Sequence, residues 1–399
     1  MYTCSLESLW FDSSSNPVDT IVDQCIKSNQ SVIILTALWE AVDISAWQPA
    51  LTQVITQIHT HRPTVTIILI INSWYRTQPI LVAGITEVVY IDFFLLMVAY
   101  RLEEGDSCAA KTWNANLDKF LFLTGKPDRL NRIRLLYKLK KHNLLSCCIW
   151  SFFINDALKN RCLALLPELS TGEGSRFIEE QLRNPDLAPI IMQDKSLHYS
   201  GIPFDTTLYE NTLFQIISET DYITNNRSPW ITEKTWLAII NRRPFIMAAA
   251  PGTLQKLKIM GFKTFEQYQL NKDYDYILDN EARLTAIVDN SQYWLSVIQQ
   301  QSVDIQKDID YNFSRMTELI TSNYQQLQNV IERYSLNCKI NQIISFRDEL
   351  QYATWINWYN RVRDPSWPDC AKEEDFSTLP LHIQKECIEI FNYIPREKK

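Results

Sequence analysis

A threonine, a glutamate and a lysine stand together where a strand pattern gives way to a helical one. Thr232, Glu233 and Lys234 open an apolar helical pattern. A threonine followed by an acid is an ordinary helix start, because the hydroxyl accepts a hydrogen bond from a free amide and the acid faces the positive end of the dipole. A lysine in the first turn opposes that dipole, and a bound diphosphate would reverse the sign. The triplet therefore predicts either a helix cap or an anion-binding helix N-terminus.

A second group of candidate anion ligands follows a strand pattern at 119–124. The segment 119–141 holds eight basic residues in a chain whose net charge is −7. We interpret Lys126, Arg129 and Arg132 as phosphate ligands, since they lie in or just after the loop at the strand end and a guanidinium can bind two phosphate oxygens. For the other basic residues of this helix a solvated face is an equal alternative: Arg134, Lys138, Lys140 and Lys141.

The glycine content limits how this chain can bind phosphate. With 8 glycines in 399 residues, it contains neither the G-x-G-x-x-G fingerprint nor a P-loop. Ordinary dinucleotide-binding enzymes and P-loop enzymes are therefore excluded, and side chains must do what a glycine-rich backbone does elsewhere. The negative net charge disfavours broad nucleic-acid binding and leaves room only for a local basic patch.

The elements that would position these residues alternate between strands and helices. Continuous β-branched runs predict parallel strands buried on both faces, at 31–38, 64–71 and 87–91. A second series of strand patterns lies at 119–124, 147–154, 213–218 and 244–249. Helical patterns lie between them, at 45–60, 129–145, 232–241 and 252–260, and dominate from 282 to 334. This rhythm predicts an α/β fold with two Rossmann-like, doubly wound domains and a helical C-terminal region.

Two blocks of this chain resemble the donor domain of the α-fucosyltransferases of glycosyltransferase family ten. The first block is the strand and basic loop FLFLTGKPDRLNR; the second is a strand ending in S-E, a loop, I-T-E-K and an R-P-F-I strand, all within about 119–265. The segments I-T-E-K-T-W and D-P-S-W-P are also similar to glycosyltransferase-like proteins of phages and bacteria. The resemblance implies the two-domain GT-B architecture and a nucleotide-diphosphate sugar donor, GDP- or UDP-linked, used without a catalytic metal or other cofactor.

The resemblance also implies roles for individual residues. Glu233 would accept hydrogen bonds from the ribose hydroxyls, and Lys234 would neutralise the diphosphate. Arg132, or Arg129, would take the leaving-group phosphate. Glu219 would lie near the nucleotide or sugar, although Thr220 follows it where the family has asparagine. The corresponding domains are an acceptor domain over 1–115, a donor domain over 116–285 and the helical region over 286–399.

An inverting transfer also needs a carboxylate that takes the proton of the acceptor hydroxyl. Glu40 and Asp92 each follow a predicted strand of the first domain, where they could project into a cleft between the domains. The alternative for each is a helix cap or a solvated loop acid. Both are kept as candidate general bases.

Three other functions are consistent with the sequence. Asp273 and Asp275 form a D-x-D triplet, which in a GT-A-like transferase would hold a divalent cation with substrate phosphates. A nucleotide- or glycan-binding module without catalysis is a second alternative. A phage-type glycosyltransferase that acts on DNA bases is the third, suggested by the basic segment and opposed by the net charge.

The composition also suggests where the protein works. Nine cysteines, an odd number without C-x-x-C spacing, predict reduced thiols. The start of the chain has no signal-peptide pattern, and the apolar stretch 88–100 is interrupted by Asp92 and too short to span a membrane. We expect a cytoplasmic protein without a membrane span, whose partners are the donor and a glycan or other hydroxyl acceptor.

Overall fold

The computed structural model describes fourteen stretches of the chain: residues 1–6, 17–37, 44–72, 80, 82–103, 112–124, 129–151, 172–183, 206–220, 222, 229, 231–336, 338 and 340. Two predicted site residues, Glu40 and Lys126, lie outside these residues, as do the D-P-S-W-P segment and residues 341–399. The chain divides into two compact units. The first comprises Met1–Leu121 and Asp205–Ile344, and the second comprises Phe122–Phe204 and Ser345–Lys399.

The first unit begins with a parallel sheet of four strands, β1 (Tyr2–Ser5), β2 (Val32–Ala37), β3 (Thr66–Asn72) and β4 (Glu87–Ile91). Neighbouring strands follow the order of the chain, β1-β2-β3-β4, and every pair is parallel. The predicted strands are confirmed, and all of β2 and nearly all of β3 are buried, as is typical of parallel strands that are covered on both faces. No reversal of strand order, which would mark double winding, occurs among its described strands.

Three helices accompany this sheet: α1 (Pro17–Lys27), α2 (Ile44–His61) and α3 (Phe93–Glu103). Helices α1 and α2 connect β1 to β2 and β2 to β3, and they pack against one another. Helix α3 follows β4 directly. Thus Asp92 occupies the junction between the last strand of the sheet and the helix that leaves it.

A second set of parallel strands begins with β5 (Phe120–Phe122), whose last residue belongs to the second unit. That unit also contains α4 (Leu130–Lys141), β6 (Cys148–Trp150) and α5 (Gly172–Arg183). In it, the N–H of Ser151 donates to the carbonyl of Phe122 at 3.2 Å, and the Thr124 hydroxyl donates to the carbonyl of Ser151 at 2.6 Å. These bonds hold the end of the strand before the predicted basic loop.

In the first unit the second set continues with α6 (Thr206–Glu210), β7 (Gln215–Ser218), α7 (Glu233–Ile240), β8 (Phe245–Ala248) and α8 (Thr253–Ile259). Strand β7 pairs in parallel with β5 and with β8. All eight residues of α7 are buried, as the connection between two buried strands requires. On the other side of β8 the N–H of Met247 donates to the Tyr274 hydroxyl at 2.8 Å.

Two long helices complete the described part of the first unit: α9 (Asn280–Val297) and α10 (Ser302–Arg333). They lie in the part of the chain where the sequence pattern is helical, and α10 packs on β4, α3 and α7. The helical C-terminal region over 286–399 stays a prediction. The first unit therefore contains strands of both sheets. The predicted boundaries 1–115, 116–285 and 286–399 stay a prediction, while the mixed α/β architecture with parallel sheets is confirmed and is compatible with a Rossmann-like fold.

Candidate functional site

Helix α7 begins on an internal carboxylate. Glu219, the residue after β7, is fully buried. Its Oε1 accepts the backbone N–H of Thr232 at 3.0 Å and the hydroxyl of Thr235 at 2.6 Å, while Oε2 accepts the hydroxyl of Thr232 at 2.6 Å. Glu219 therefore occupies the place at the helix N-terminus that the sequence interpretation assigned to a phosphate. In this conformation it positions the helix start and presents no surface to a ligand.

Lys234 is paired within the same turn. Its Nζ donates to Glu233 Oε1 at 2.9 Å and to Thr232 Oγ1 at 2.9 Å. The two charged side chains are 9% and 6% exposed. The cation that opposes the helix dipole is thus balanced by its neighbour Glu233. With Glu219, this group carries two carboxylates and one ammonium.

The predicted arginine ligands lie in the second unit. Arg129 precedes the first residue of α4 and is exposed, whereas Arg132 is 3% exposed. Of the other basic residues in this helix, Lys140 lies over the ring of Phe177 at 4.0 Å. Glu219, Thr232, Glu233 and Lys234 all belong to the first unit. A phosphate site that joins the two sets stays a prediction.

Asp92, the other candidate base, lies on a cleft inside the first unit. The cleft has a volume of about 10 Å³, room for about one water molecule, and is lined by residues from three helix starts or faces, namely Asp92, Phe93, Phe94, Ile231, Trp236, Lys256 and Met260. Asp92 follows the carboxyl end of β4, and α7 and α8 each follow the carboxyl end of a parallel strand. Ligands of parallel α/β sheets bind at this end of the strands. The structure therefore brings the predicted base to a location where α/β proteins bind ligands.

Hydrogen bonds hold Asp92 from two directions. Its carbonyl accepts the N–H of Leu96 at 3.0 Å, in the first turn of α3. Its own N–H donates to Asn323 Oδ1 at 3.2 Å, and its Oδ2 accepts from Asn323 Nδ2 at 3.3 Å. Asp92 is 6% exposed. It is thus both the residue before a helix, as the alternative interpretation held, and a cleft residue.

Lys256 on α8 is a cleft residue that sequence reasoning missed. Its Nζ donates to the carbonyl of Pro229 at 3.1 Å. Burial lowers the pKa of Lys256 to about 8, against the opposing effect of the Asp92 charge. In the sequence it is one of two lysines on a short amphipathic helix, a pattern typical of a solvated face. Only the approach of α8 to the distant residue Asp92 distinguishes it.

The two aspartates of the D-x-D triplet have different environments. Asp273 is exposed, whereas Asp275 is buried and its Oδ2 accepts the N–H groups of Leu254 and Gln255 at 3.1 and 3.2 Å. Burial raises the pKa of Asp275 to about 6, although these two N–H groups act in the opposite direction. Asp275 thus stabilises the start of α8. Over the described ranges, no group of three or more His, Cys, Asp or Glu residues is arranged to bind a metal ion.

Two histidines near the end of α2 make local hydrogen bonds. His59 Nε2 lies 2.9 Å from the carbonyl of Gly84, and His61 Nδ1 lies 2.9 Å from that of Gln57. Trp236, which precedes an apolar part of α7, is 2% exposed and packs on Phe262 with ring centroids 5.4 Å apart. Trp236 is thus a core residue that also lines the cleft.

Comparison with protein-family models, curated proteins and solved structures finds no match to this chain. The function of the chain is therefore inferred from the cleft and the residues around it. Among the described helices, none combines the length and the apolar character needed to cross a bilayer.

Proposed function

We propose that the chain is a glycosyltransferase that moves a sugar from a nucleotide-diphosphate sugar to an acceptor hydroxyl without a metal ion or other cofactor. The observation that supports this most directly is that Asp92, at the carboxyl end of β4, shares one cleft with α7 and α8, which follow strands of the other sheet. A transferase of the GT-B type needs such a carboxylate where two parallel sheets meet. The proposal includes a cytoplasmic location.

Asp92 acts as the general base in this proposal. Its carboxylate accepts the proton of the acceptor hydroxyl while the sugar leaves the diphosphate, a contribution that is typically worth about 10²–10⁴ in rate. The cleft has a volume of about 10 Å³, room for about one water molecule, against the roughly 300–1,000 Å³ of sites for drug-sized ligands. Only the acceptor hydroxyl itself therefore fits beside Asp92, while the rest of the acceptor, a glycan or another alcohol, and the donor lie outside the cleft.

The donor diphosphate is assigned to cations outside the cleft. Arg129, Arg132 and Lys126 supply the charge that stabilises the departing phosphate. In the first unit, Lys234 exchanges its bond to Glu233 for a phosphate oxygen, and Glu233 then accepts the ribose hydroxyls. Glu219 keeps Thr232 and the helix start in place during this exchange.

A thermal-shift screen with GDP-, UDP-, CMP- and dTDP-sugars tests donor binding, since a ligand of the native state stabilises by RT ln(1 + [L]/Kd). Release of the nucleoside diphosphate tests turnover. We expect Asp92→Asn to keep the thermal shift and to lose turnover by about 10²-fold or more. The control is Asp304→Asn, which removes an aspartate that is 68% exposed in a surface ion pair. Equal turnover in Asp92→Asn and the wild type would remove Asp92 from the mechanism.

A non-catalytic nucleotide-binding module is the second candidate. It is favoured by the internal pairing at α7, where Glu219 accepts three hydrogen bonds and Lys234 is paired with Glu233. Donor binding without turnover, with or without divalent cations, supports this candidate over the transferase. Turnover that chelation abolishes favours the metal-dependent alternative with Asp273 and Asp275, and transfer to duplex DNA favours the DNA-base enzyme.

A further inference from the structure

Two buried asparagines on the C-terminal helices bind backbone segments from elsewhere in the chain. Asn290 on α9 accepts the N–H of Asn271 at 2.7 Å and donates to its carbonyl at 3.2 Å. Asn312 on α10 accepts the N–H of Lys263 at 2.7 Å and donates to its carbonyl at 2.8 Å. In both cases the side-chain amide pairs with the N–H and the carbonyl of one residue, and Asn290 donates in addition to Gln269 Oε1 at 2.9 Å. The role of such an amide is to fix a loop to a helix.

Asn323, also on α10, departs from this pattern. It accepts the backbone N–H of Asp92 at 3.2 Å, and its Nδ2 donates to the carbonyl of Leu319 at 2.9 Å and to the Asp92 carboxylate Oδ2 at 3.3 Å, but not to the carbonyl of Asp92. The carbonyl of Asp92 is engaged by the N–H of Leu96 in α3. The carboxylate therefore takes the place that a carbonyl has in the other two pairs. Because Asn323 is fully buried, this contact constrains where the carboxylate can lie.

The constrained carboxylate is one of two charged side chains among the described residues of the cleft. The other is Lys256, and the charge of Asp92 raises the pKa of its amine against the effect of burial. A movement of the carboxylate away from the cleft would weaken that interaction. The titration of Lys256 therefore reports where the Asp92 carboxylate lies.

We infer that Asn323 is a positioning residue, which holds the Asp92 carboxylate at the cleft and makes the long helix α10 part of the functional site. It acts through Asp92 and requires no contact with a substrate. The catalytic meaning of this role rests on the proposed function. The positioning itself is measurable without turnover.

The experiment follows the reaction of Lys256 with acetic anhydride as a function of pH, with the modified peptide quantified by mass spectrometry. We expect a midpoint near pH 8 in the wild-type protein, from the value of about 8 that burial produces. Asp92→Asn moves the midpoint to lower pH, because a nearby negative charge is lost. Asn323→Ala moves it in the same direction, since the released carboxylate turns toward water. Asn312→Ala is the matched control, with the same type of side chain on the same helix, and leaves the midpoint unchanged.

A midpoint that Asn323→Ala leaves at the wild-type value, while Asp92→Asn shifts it, would overturn the inference. So would an unshifted midpoint in Asp92→Asn. Asn323→Ser, which keeps a hydrogen-bond donor, is measured beside the alanine variant. If both Asn323 variants unfold while Asn312→Ala stays folded, Asn323 has only a structural role and the inference is wrong.

Donor turnover separates this inference from the proposed function. With a GDP- or UDP-sugar that the wild-type protein hydrolyses, Asn323→Ala lowers kcat by about 10- to 100-fold, as displaced catalytic groups do, with KM for the donor unchanged. A shifted Lys256 midpoint in a protein that turns over no donor supports the positioning role and overturns the transferase. If Asn323→Ala leaves the Lys256 midpoint unshifted in a protein that does turn over the donor, the positioning role is overturned and the transferase is supported.

Discussion

Thr232 donates both its backbone N–H and its hydroxyl to the carboxylate of Glu219, at 3.0 and 2.6 Å. The contact joins the end of β7 to the start of α7, with twelve residues between them in the chain. A buried carboxylate here is compatible with the helix dipole, because its negative charge faces the positive end. The start of α7 therefore has its own anion before any ligand arrives.

Glu219→Gln tests this arrangement. The amide keeps one oxygen acceptor but turns an NH₂ group toward hydrogen-bond donors, so we expect a loss of about 2 kcal/mol in the free energy of unfolding. Urea denaturation followed by circular dichroism measures it. Glu318→Gln is the control, because its side chain is 66% exposed and surface ion pairs contribute little, about 0–1 kcal/mol. Equal stability of the two variants would contradict a structural role for Glu219.

Lys234→Met leaves the buried carboxylate of Glu233 without its ammonium partner. Breaking a buried ion pair from one side costs about 3–5 kcal/mol, so this variant should be strongly destabilised. The double variant Glu233→Leu/Lys234→Met should recover much of that loss, because no unpaired charge remains. A double-mutant cycle of unfolding free energies measures the coupling. Additive effects of the two substitutions would mean that the pair does not interact.

This result bears on how activity data are interpreted. A Lys234 variant that loses donor turnover has lost it for one of two reasons, stability or phosphate contact. Assays at a temperature well below the measured Tm of the variant separate them.

Asp275 predicts a pH dependence with a defined sign. Burial raises its pKa from 3.8 to about 6, so the folded state binds its proton more tightly than the unfolded state. The stabilisation is complete below pH 4 and is lost as the pH rises through about 6. Relative to Asp275→Asn, the wild-type protein should lose about 3 kcal/mol over that range. Denaturation at pH 4 and at pH 7 measures the difference, with Asp273→Asn, at an exposed position, as the matched control for removal of one carboxylate.

Arg283, on α9, binds the backbone of Tyr222, a residue between β7 and α7 in the chain. This arginine is 1% exposed and donates to the carbonyls of Ile277 and Tyr222 at 2.5 and 2.6 Å, and its guanidinium lies 4.2 Å from the ring centroid of Tyr222. Arg283→Met leaves the buried carbonyl of Tyr222 and the partly buried carbonyl of Ile277 without this donor, so we expect a loss of about 3 kcal/mol. Thermal unfolding measures it. Lys307→Met, at a side chain that is 71% exposed, should change stability by less than about 0.5 kcal/mol.

Local sequence patterns were sufficient to predict most of the strands. Strands β2 and β3 are continuous β-branched runs, and such runs fold as buried parallel strands. Strand β1 was missed, because its four residues YTCS contain no apolar run and it is a strand only through pairing with β2. Helix α3 was not recognised, because the segment FFLLMVAYRLE is apolar almost all round and shows no helical period.

The site was harder to predict, since its contacts join residues far apart in the chain. The sequence placed Asp92 at a strand end and therefore among the candidate bases. Asn323, 231 residues away, is one polar residue in an amphipathic helix, and no local pattern distinguishes it. The same is true of Lys256. The hydrogen bonds from Thr232 to Glu219 form only because the fold brings together two residues that are separated by twelve others in the chain. The sequence pattern around each residue does not predict that approach.

The hydrogen bond that the N–H of Met247 donates to the hydroxyl of Tyr274 has a consequence beyond local packing. Strand β8 is the last of the described strands in its sheet, and the end strand of a sheet is where a peptide or a second copy can add by backbone pairing. At Met247 the donor that such an incoming strand would need is already bound by a side chain from the same chain. At this position a buried tyrosine hydroxyl, rather than a surface charge, therefore opposes the pairing of another strand with the edge of the sheet.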